Sequence, residues 1–236
     1  MDEQQLLLVR LARGLARNRS EATLPVRLCA VYRDLVGAEG GSISMDFASS
    51  DRVVLCSTDA HSARLEDAQD VVREGPSLDA FRTGVAVTGL SAGEQERRWP
   101  ILAEFVDSSF PETALHAFPI TPEGQVVGAL LVYRMRVREL SLDTEQAQFL
   151  ANAVGIALLG ELSSDSLTDE GWLARDRVDQ ATGMVSAQLQ VAPEDARAVL
   201  RAHAYAHDAS LPEVSGWVLS RTLTFADPNS TDGTTR

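Results

Sequence analysis

Hydrophobic residues recur every three or four positions near the start of the chain, which is the spacing of one face of an α-helix. This pattern predicts an amphipathic helix over residues 3–17 and a second helix that begins near Ser20 and ends at Gly37. Their hydrophobic stripes consist of Leu7, Leu8, Leu11 and Leu15 in the first helix and of Leu24, Leu28, Val31 and Leu35 in the second. Arginines lie largely on the other side of the first helix, so its apolar face needs a partner.

The period changes to two in the middle of the chain, where hydrophobic and polar residues alternate as they do along a strand. The elements predicted there are two hairpins (42–47 with 53–56, and 115–120 with 126–135), helices over 61–73, 100–107 and 142–162, a short turn over 77–83 and a small strand over 85–88. Strands and helices occur in runs and do not alternate strictly. The sequence therefore predicts an α+β fold with helices on the faces of an antiparallel sheet.

A Ser- and Asp-rich segment at 163–170 precedes a region without any strand pattern. Helical spacing there predicts three helices: one near 172–189, one from Pro193 and one from Pro212. Residues 226–236 are polar and aperiodic, so we expect a disordered tail. The predicted organisation is an N-terminal helix at 1–19, a sheet domain at 20–165, a three-helix module at 166–225 and the tail at 226–236.

Composition excludes several kinds of chemistry. All 21 basic residues are arginine. A chain without lysine cannot form a Schiff base or supply the lysine of a phosphate-binding P-loop. The net charge of −13 disfavours binding to nucleic acid or anionic membranes unless a local basic patch opposes it. Arginines and acidic residues number four and two in segment 1–19, 11 and 22 in segment 20–165, and five and eight in segment 166–225.

The amino terminus lacks the basic start and unbroken apolar core of a signal peptide. The long apolar stretch at 126–133 is too short to span a bilayer. Cys29 and Cys56 lie 27 positions apart without a CxxC pair, which favours two buried, reduced thiols over a disulfide. We therefore expect a cytoplasmic protein with no membrane partner.

Three patterns could suggest catalysis, and each is incomplete. His203 and His207 have the spacing of two zinc ligands in an HExxH helix, but position 204 is alanine, so a solvated helix face is favoured. The segment 40–44 lacks the last glycine of a GxSxG serine elbow. Adjacent acids such as Glu66 and Asp67 point in different directions on a helix. The sequence predicts no enzyme activity, no metal site and no cofactor.

Two sets of segments carry resemblances to known families. The segments GAEGGSISM, STDAHSARLEDAQDVVREGPSLDAFRTG, ERRWP and FPITPEGQVVGALLVYR make residues 20–162 resemble a GAF domain of the actinobacterial type. The segment RVDQATGMVSAQLQVAPEDARAVLRAHAYAHDASLPEVSGWVL makes residues 168–223 resemble an ANTAR module. Together the resemblances cover about nine-tenths of the chain.

These resemblances imply a signal-sensing transcriptional regulator. GAF domains have six-stranded antiparallel sheets flanked by helices, many enclose a small-molecule cavity, and they often form homodimers through their terminal helices. ANTAR modules are three-helix units that bind a hairpin in a transcript leader and promote transcription antitermination. The implied partners are therefore leader RNA, a second copy of the chain, and a small-molecule or protein signal at the GAF domain.

The ANTAR resemblance also implies the RNA-binding residues Arg175, Arg177, Gln180, Thr182, Gly183, Arg197, Arg201 and His203. Thr182 stands where the family usually has lysine, Ser210 replaces a basic residue before the third helix, and Ser77 replaces a cysteine common in the GAF segment. Fewer cations mean fewer phosphate contacts. The remaining arginines are interpreted either as RNA contacts or as solvated helix residues. The alternative function is a GAF-based protein-interaction regulator whose ANTAR module has lost RNA binding.

Overall fold

The computed structural model describes residues 3–17, 22–46, 52–90, 92–106, 113–136, 139–162 and 169–225. These residues fall into two compact units, divided between Trp172 and Leu173. The first unit contains a mixed arrangement of strands and helices, and the second contains helices. The predicted tail at 226–236 and most of the joint at 163–170 lie outside the described residues.

The first unit is built on a four-stranded sheet in the order β2-β1-β4-β3, with every neighbouring pair antiparallel. The strands are β1 (Gly40–Asp46), β2 (Arg52–Ser57), β3 (Thr113–Ile120) and β4 (Gly128–Met135). Both predicted hairpins are therefore present, and β1 and β4 are the central strands. The predicted strand at 85–88 is reduced to a single bridge between Val87 and Ala117. The described residues thus form four strands where the family resemblance led us to expect six.

Helices cover both faces of this sheet, which explains why the central strand β4 is apolar on both sides. The other central strand, β1, is apolar on one side and places the buried Ser42 and Ser44 on the other. One face carries Ile43, Phe118 and Leu130, which pack in a core with the helices α1 (Glu3–Arg17), α2 (Leu24–Val36) and α7 (Thr144–Leu162). The opposite face carries Ala117 and Leu131, which pack in a second core. The helices of the second face are α3 (Ala60–Val72), α4 (Pro76–Thr83), α5 (Ala92–Arg98) and α6 (Pro100–Val106).

The helices on the first face are stabilised by helix caps and by burial of their hydrophobic residues. Leu7 and Leu11 of α1 are buried within their own chain. Gly37 ends α2, as predicted, and adopts the left-handed region at φ 71°. The Gly37 amide donates to the Asp34 carbonyl, and the Ala38 amide donates to the Arg33 carbonyl. The N-cap of α2 is Thr23, whereas Ser20 lies outside the described residues. The Tyr32 hydroxyl donates to the Ala147 carbonyl at 3.1 Å and so connects α2 to α7.

The second-face helices differ from the sequence prediction in two places. The predicted turn over 77–83 is the helix α4, because Pro76 is pre-organised for a first helical turn and Gly84 provides a left-handed C-cap at φ 66°. The short polar helix α5 has no apolar periodicity and was not predicted. It leads to Trp99, which is buried and donates its indole hydrogen to Asp79 at 3.0 Å.

The second unit consists of α8 (Asp169–Leu189), which begins before the division, α9 (Pro193–Ala206) and α10 (Leu211–Leu219). Its buried apolar residues include Val185, Leu200 and Val214. Ser210 and Glu213 form a capping box at the start of α10, in which each side chain bonds the other's backbone amide. Among the described residues, no helix combines the length and hydrophobicity needed to cross a membrane.

Candidate functional site

The residues of α8 that were predicted to bind RNA differ in exposure: three are exposed and one is buried. Arg177, Gln180 and Gly183 are exposed and lie on successive turns. A Cβ atom added at Gly183 would meet no described atom within 4 Å, so the backbone there faces open space. Thr182 is instead 7% exposed, and its hydroxyl donates to the Val178 carbonyl at 2.7 Å. The Thr182 side chain therefore serves its own helix, contrary to the contact expected of it. The Arg175 side chain lies outside the described part of the chain.

The predicted residues of α9 are less accessible than those of α8. Arg197 donates to Asp179 of α8 at 3.1 Å, and its side chain is 16% exposed. Arg201 and His203 are half-buried. The Arg197 guanidinium is therefore partly neutralised by a carboxylate before any ligand arrives.

The two histidines of α9 form an aromatic cluster. The His203 and His207 rings stack with their centroids 5.9 Å apart. Phe225 meets His203 edge-on at 4.8 Å, and Trp217 meets His207 edge-on at 5.8 Å. Within the described residues, no group of three or more His, Cys, Asp or Glu side chains could hold a metal ion. The pair thus packs against aromatic rings.

The first unit contains a buried ion-pair cluster between β2 and α3. Arg52 donates to Glu66 at 2.6 Å and to Asp70 at 2.7 Å, and the Glu66 side chain is fully buried. Burial alone would lower the pKa of Arg52, but the charges of Asp70 and Glu66 outweigh it and raise the pKa above its ordinary value. The arginine is thus fixed in its charged form.

Hydroxyl and amide groups complete this cluster. Ser42 of β1 donates to Glu66 at 2.6 Å, and Ser77 of α4 donates to the same oxygen at 3.1 Å. The Ser77 amide hydrogen bonds to the Gln69 side chain at 2.8 Å. Ser77 uses both its hydroxyl and its amide in these bonds. The cluster therefore fills the space between the sheet and α3–α4 with its own side chains.

Sequence reasoning missed this cluster because Arg52 and Glu66 are far apart in the chain and in elements of different type. One local signal was available. Glu66, Gln69 and Asp70 have the i, i+3, i+4 spacing that places polar side chains on one face of α3. A polar face on a helix that must pack against a sheet indicates buried hydrogen bonds.

An open groove of about 440 Å³ lies where the loop before α7 meets β3. His116, Glu139 and Asp143 contribute to its lining, together with hydroxyl and apolar residues. Two carboxylates at one groove favour a neutral or cationic ligand over an anion. This groove is the candidate for a small-molecule signal in the first unit.

The Cys29 and Cys56 thiols are both free and buried. The hydrogen bond with Cys56, followed by burial, raises the pKa of Cys29 well above its ordinary value of 9.0. A thiol held in its protonated form is a poor nucleophile. These cysteines therefore act as core residues.

Comparison with known proteins gives a family match for most of the first unit. The family model described as a GAF domain matches residues 18–159. No protein of curated function matches the sequence.

Several solved structures are similar to the chain at low sequence identity. The GAF domain of an Acinetobacter phosphoenolpyruvate-protein phosphotransferase is 16% identical with a TM-score of 0.47, covering 72% of this chain and 100% of that one. A GAF domain/HD domain protein from Geobacter sulfurreducens is 18% identical with a TM-score of 0.45, covering 62% of this chain and 99% of that one. The A. aeolicus nlh2 GAF domain is 14% identical with a TM-score of 0.39, covering 68% and 96%.

Proposed function

The chain belongs to the GAF domain family, and from that premise we propose that it is a cytoplasmic, non-enzymatic regulator whose GAF unit senses a signal and controls an ANTAR module. The module is the helical second unit. It binds a hairpin in a transcript leader and promotes transcription antitermination. The RNA-binding residues are Arg177, Gln180 and Gly183 on α8 with Arg201 and His203 on α9.

Gly183 is the observation that carries the RNA-binding proposal. A glycine inside a helix costs about 1 kcal/mol relative to alanine. Nothing in the described structure requires that cost, because a Cβ atom at this position would meet open space. Gly160 and Gly216 are equally open, but only Gly183 follows an exposed arginine and an exposed glutamine on successive turns. A bare backbone beside a cation suits the close approach of a nucleotide chain.

The test is binding of the 236-residue chain to a pool of RNA hairpins with randomised loops. Gly183→Ala should raise the stability of the protein by about 1 kcal/mol and at the same time weaken RNA binding. If Gly183 had only a structural role, the alanine substitution would not combine higher stability with weaker RNA binding. Gly160→Ala is the matched control, since it should stabilise α7 and leave binding unchanged. Absence of binding by the wild-type protein at low salt would reject the RNA proposal.

The second candidate is a protein-interaction regulator without RNA binding. The Arg197–Asp179 ion pair and the excess of acidic over basic residues in 166–225 favour it, because both reduce the attraction of the second unit for phosphate. Recovery of one protein partner, together with no RNA crosslinked to the full chain, would support this candidate.

A homodimer is part of the proposed mechanism. Leu7 and Leu11 pack within their own chain, in the core that also contains residues of α7, so they are not available to a second copy. Leu8 on α1 and Ile156 on α7 remain 42% and 61% exposed and are the proposed contact. A signal that shifts these helices changes the spacing between the helical second units of the two copies. Two linked RNA-binding sites gain avidity only when their spacing lets both bind at once. Ile156→Glu should convert the dimer to a monomer in light scattering; an unchanged mass would exclude this interface.

A further inference from the structure

The first helix presents a row of arginines in a chain that is otherwise strongly acidic. Arg10, Arg13 and Arg17 are exposed and spaced i, i+3, i+7, so they lie along one side of α1. At 1.5 Å per residue the row is about 10 Å long. None of the three forms an ion pair with an acidic residue in the described part of the chain. The row is therefore a concentrated positive surface.

These arginines border an open groove of about 440 Å³ between α1 and α2. Its floor is apolar and comes from Val31 and Leu35. The two helices approach closely because position 14 is glycine, where a Cβ atom would overlap Val31. The groove thus combines a cationic edge with an apolar base.

One carboxylate, Asp34, also lines this groove. It accepts two hydrogen bonds from the Arg33 guanidinium, at 2.7 and 2.9 Å. Its charge is therefore compensated by its neighbour along the helix. The three arginines of α1 remain available to an anion.

We propose that the row formed by Arg10, Arg13 and Arg17 is a phosphate-binding surface for RNA on the first unit. This inference rests on the proposed RNA-binding function. Phosphate contacts supply most of the sequence-independent affinity for nucleic acid, and the second unit has few cations left to make them. Arginine is suited to the role because its planar guanidinium can donate two parallel hydrogen bonds to a phosphate. An exposed linear row fits a strand, and the apolar floor can take a ribose or base.

The test compares two triple variants of the full chain that change the net charge equally. R10Q/R13Q/R17Q removes the row. R64Q/R82Q/R97Q removes three other exposed arginines of the first unit and is the matched control. Glutamine is a good helix former, so circular dichroism should show both variants folded. Binding to the hairpin pool is measured over a range of salt concentrations.

We expect the row variant to reduce the slope of log affinity against log salt by about two, because each lost contact to a single strand removes about 0.7. At about 0.1 M salt this corresponds to a loss of affinity on the order of a hundredfold. The control variant should bind like the wild type.

Two results would overturn the inference while leaving the proposed function intact: wild-type affinity in the row variant, or an equal loss in both variants, which would show an effect of net charge alone. If the wild-type chain binds no hairpin at low salt, the proposed function fails and this inference fails with it. If the row instead holds an acidic protein, the wild-type chain should bind no hairpin at low salt. It should then capture a protein partner that the row variant no longer binds.

Discussion

At the scale of single residues, the Arg52–Glu66 pair is the strongest local constraint in the first unit. Both side chains are nearly or fully buried, so removal of one leaves an unpaired charge in the interior. We predict that Arg52→Met lowers the free energy of unfolding by about 3–5 kcal/mol. Urea denaturation measures this change.

The exposed Arg33–Asp34 pair supplies the control for that prediction, since Arg33→Met should cost less than about 1 kcal/mol. The double variant Arg52→Met with Glu66→Leu should recover only part of the loss. It removes the unpaired charge of Glu66, but it leaves the Ser42 and Ser77 hydroxyls without their acceptor and Asp70 without its arginine. Similar losses for Arg52→Met and Arg33→Met would contradict the assignment of a buried ion pair.

The buried thiol of Cys29 and the buried phenol of Tyr32 make the free energy of unfolding depend on pH in the alkaline range. The Cys56 hydrogen bond and burial raise the pKa of Cys29, and burial raises the pKa of Tyr32. A raised pKa means that the folded state holds its proton more tightly than the unfolded state. The resulting stabilisation is complete below the ordinary pKa of 9.0 for cysteine and is lost as the pH rises above it.

We therefore predict that the free energy of unfolding falls as the pH is raised past 9.0. Cys29→Ala combined with Tyr32→Phe should flatten this dependence, relative to the wild type, in urea titrations at a series of pH values. A wild-type stability that stays constant across this range would contradict the prediction.

At the scale of elements, α7 offers two glycines in contrasting surroundings. A Cβ atom at Gly155 would overlap Ile120 of β3, whereas one at Gly160 would meet nothing within 4 Å. Gly160→Ala should stabilise the protein by about 1 kcal/mol through helix propensity. Gly155→Ala should be destabilising, because overpacking costs about 1–3 kcal/mol and offsets the same propensity gain. Thermal unfolding of the two variants should move in opposite directions.

The capping box of α10 gives a second prediction at this scale. The Glu213 amide donates to the Ser210 hydroxyl, and the Ser210 amide donates to the Glu213 carboxylate at 2.8 Å. Ser210→Ala should cost about 1 kcal/mol, whereas Ser210→Asp should retain most of the cap. Circular dichroism during urea titration distinguishes the two variants. Equal stability of the alanine and aspartate variants would show that the cap contributes little.

The elements that the sequence predicted are those with strong periodicity or clear end signals. The stripe of Leu24 and Leu28 and the terminating Gly37 suffice to place α2. The sequence pattern did not predict the short elements, because contacts with residues distant in the chain stabilise them. The helix α5 is held by Gln95, whose amide donates to the carbonyls of Leu90 and Thr113, and a single sequence does not show those partners.

The candidate RNA site was predictable only by family position, and Thr182 shows the limit of that approach. The resemblance implied that Thr182, which stands at the family's lysine position, contacts RNA. A threonine can bond back to the carbonyl four residues earlier, and this one does so in a buried position. The exposure of Gly183 next to it depends on packing that no periodicity reveals.

At the scale of the whole molecule, the two units have separate sets of buried residues. The sheet unit is centred on residues such as Ile43 and Leu130, and the helical unit on residues such as Leu200 and Val214. We predict two unfolding transitions in calorimetry. Arg52→Met should lower the midpoint of one transition, and Ser210→Ala should lower the other. If both substitutions shift a single common transition, the units unfold as one.

The strand order also governs how the chain can fold while it is being synthesised. The central pair joins β1 to β4, with Ile43 opposite Leu130, so β1 leaves the ribosome long before its neighbour exists. Until then, the β1 edge of the β1–β2 hairpin has unpaired backbone amides and carbonyls, which are a template for association with other chains. Nascent chains that stall before residue 128 should therefore depend on chaperones, and the completed sheet should not.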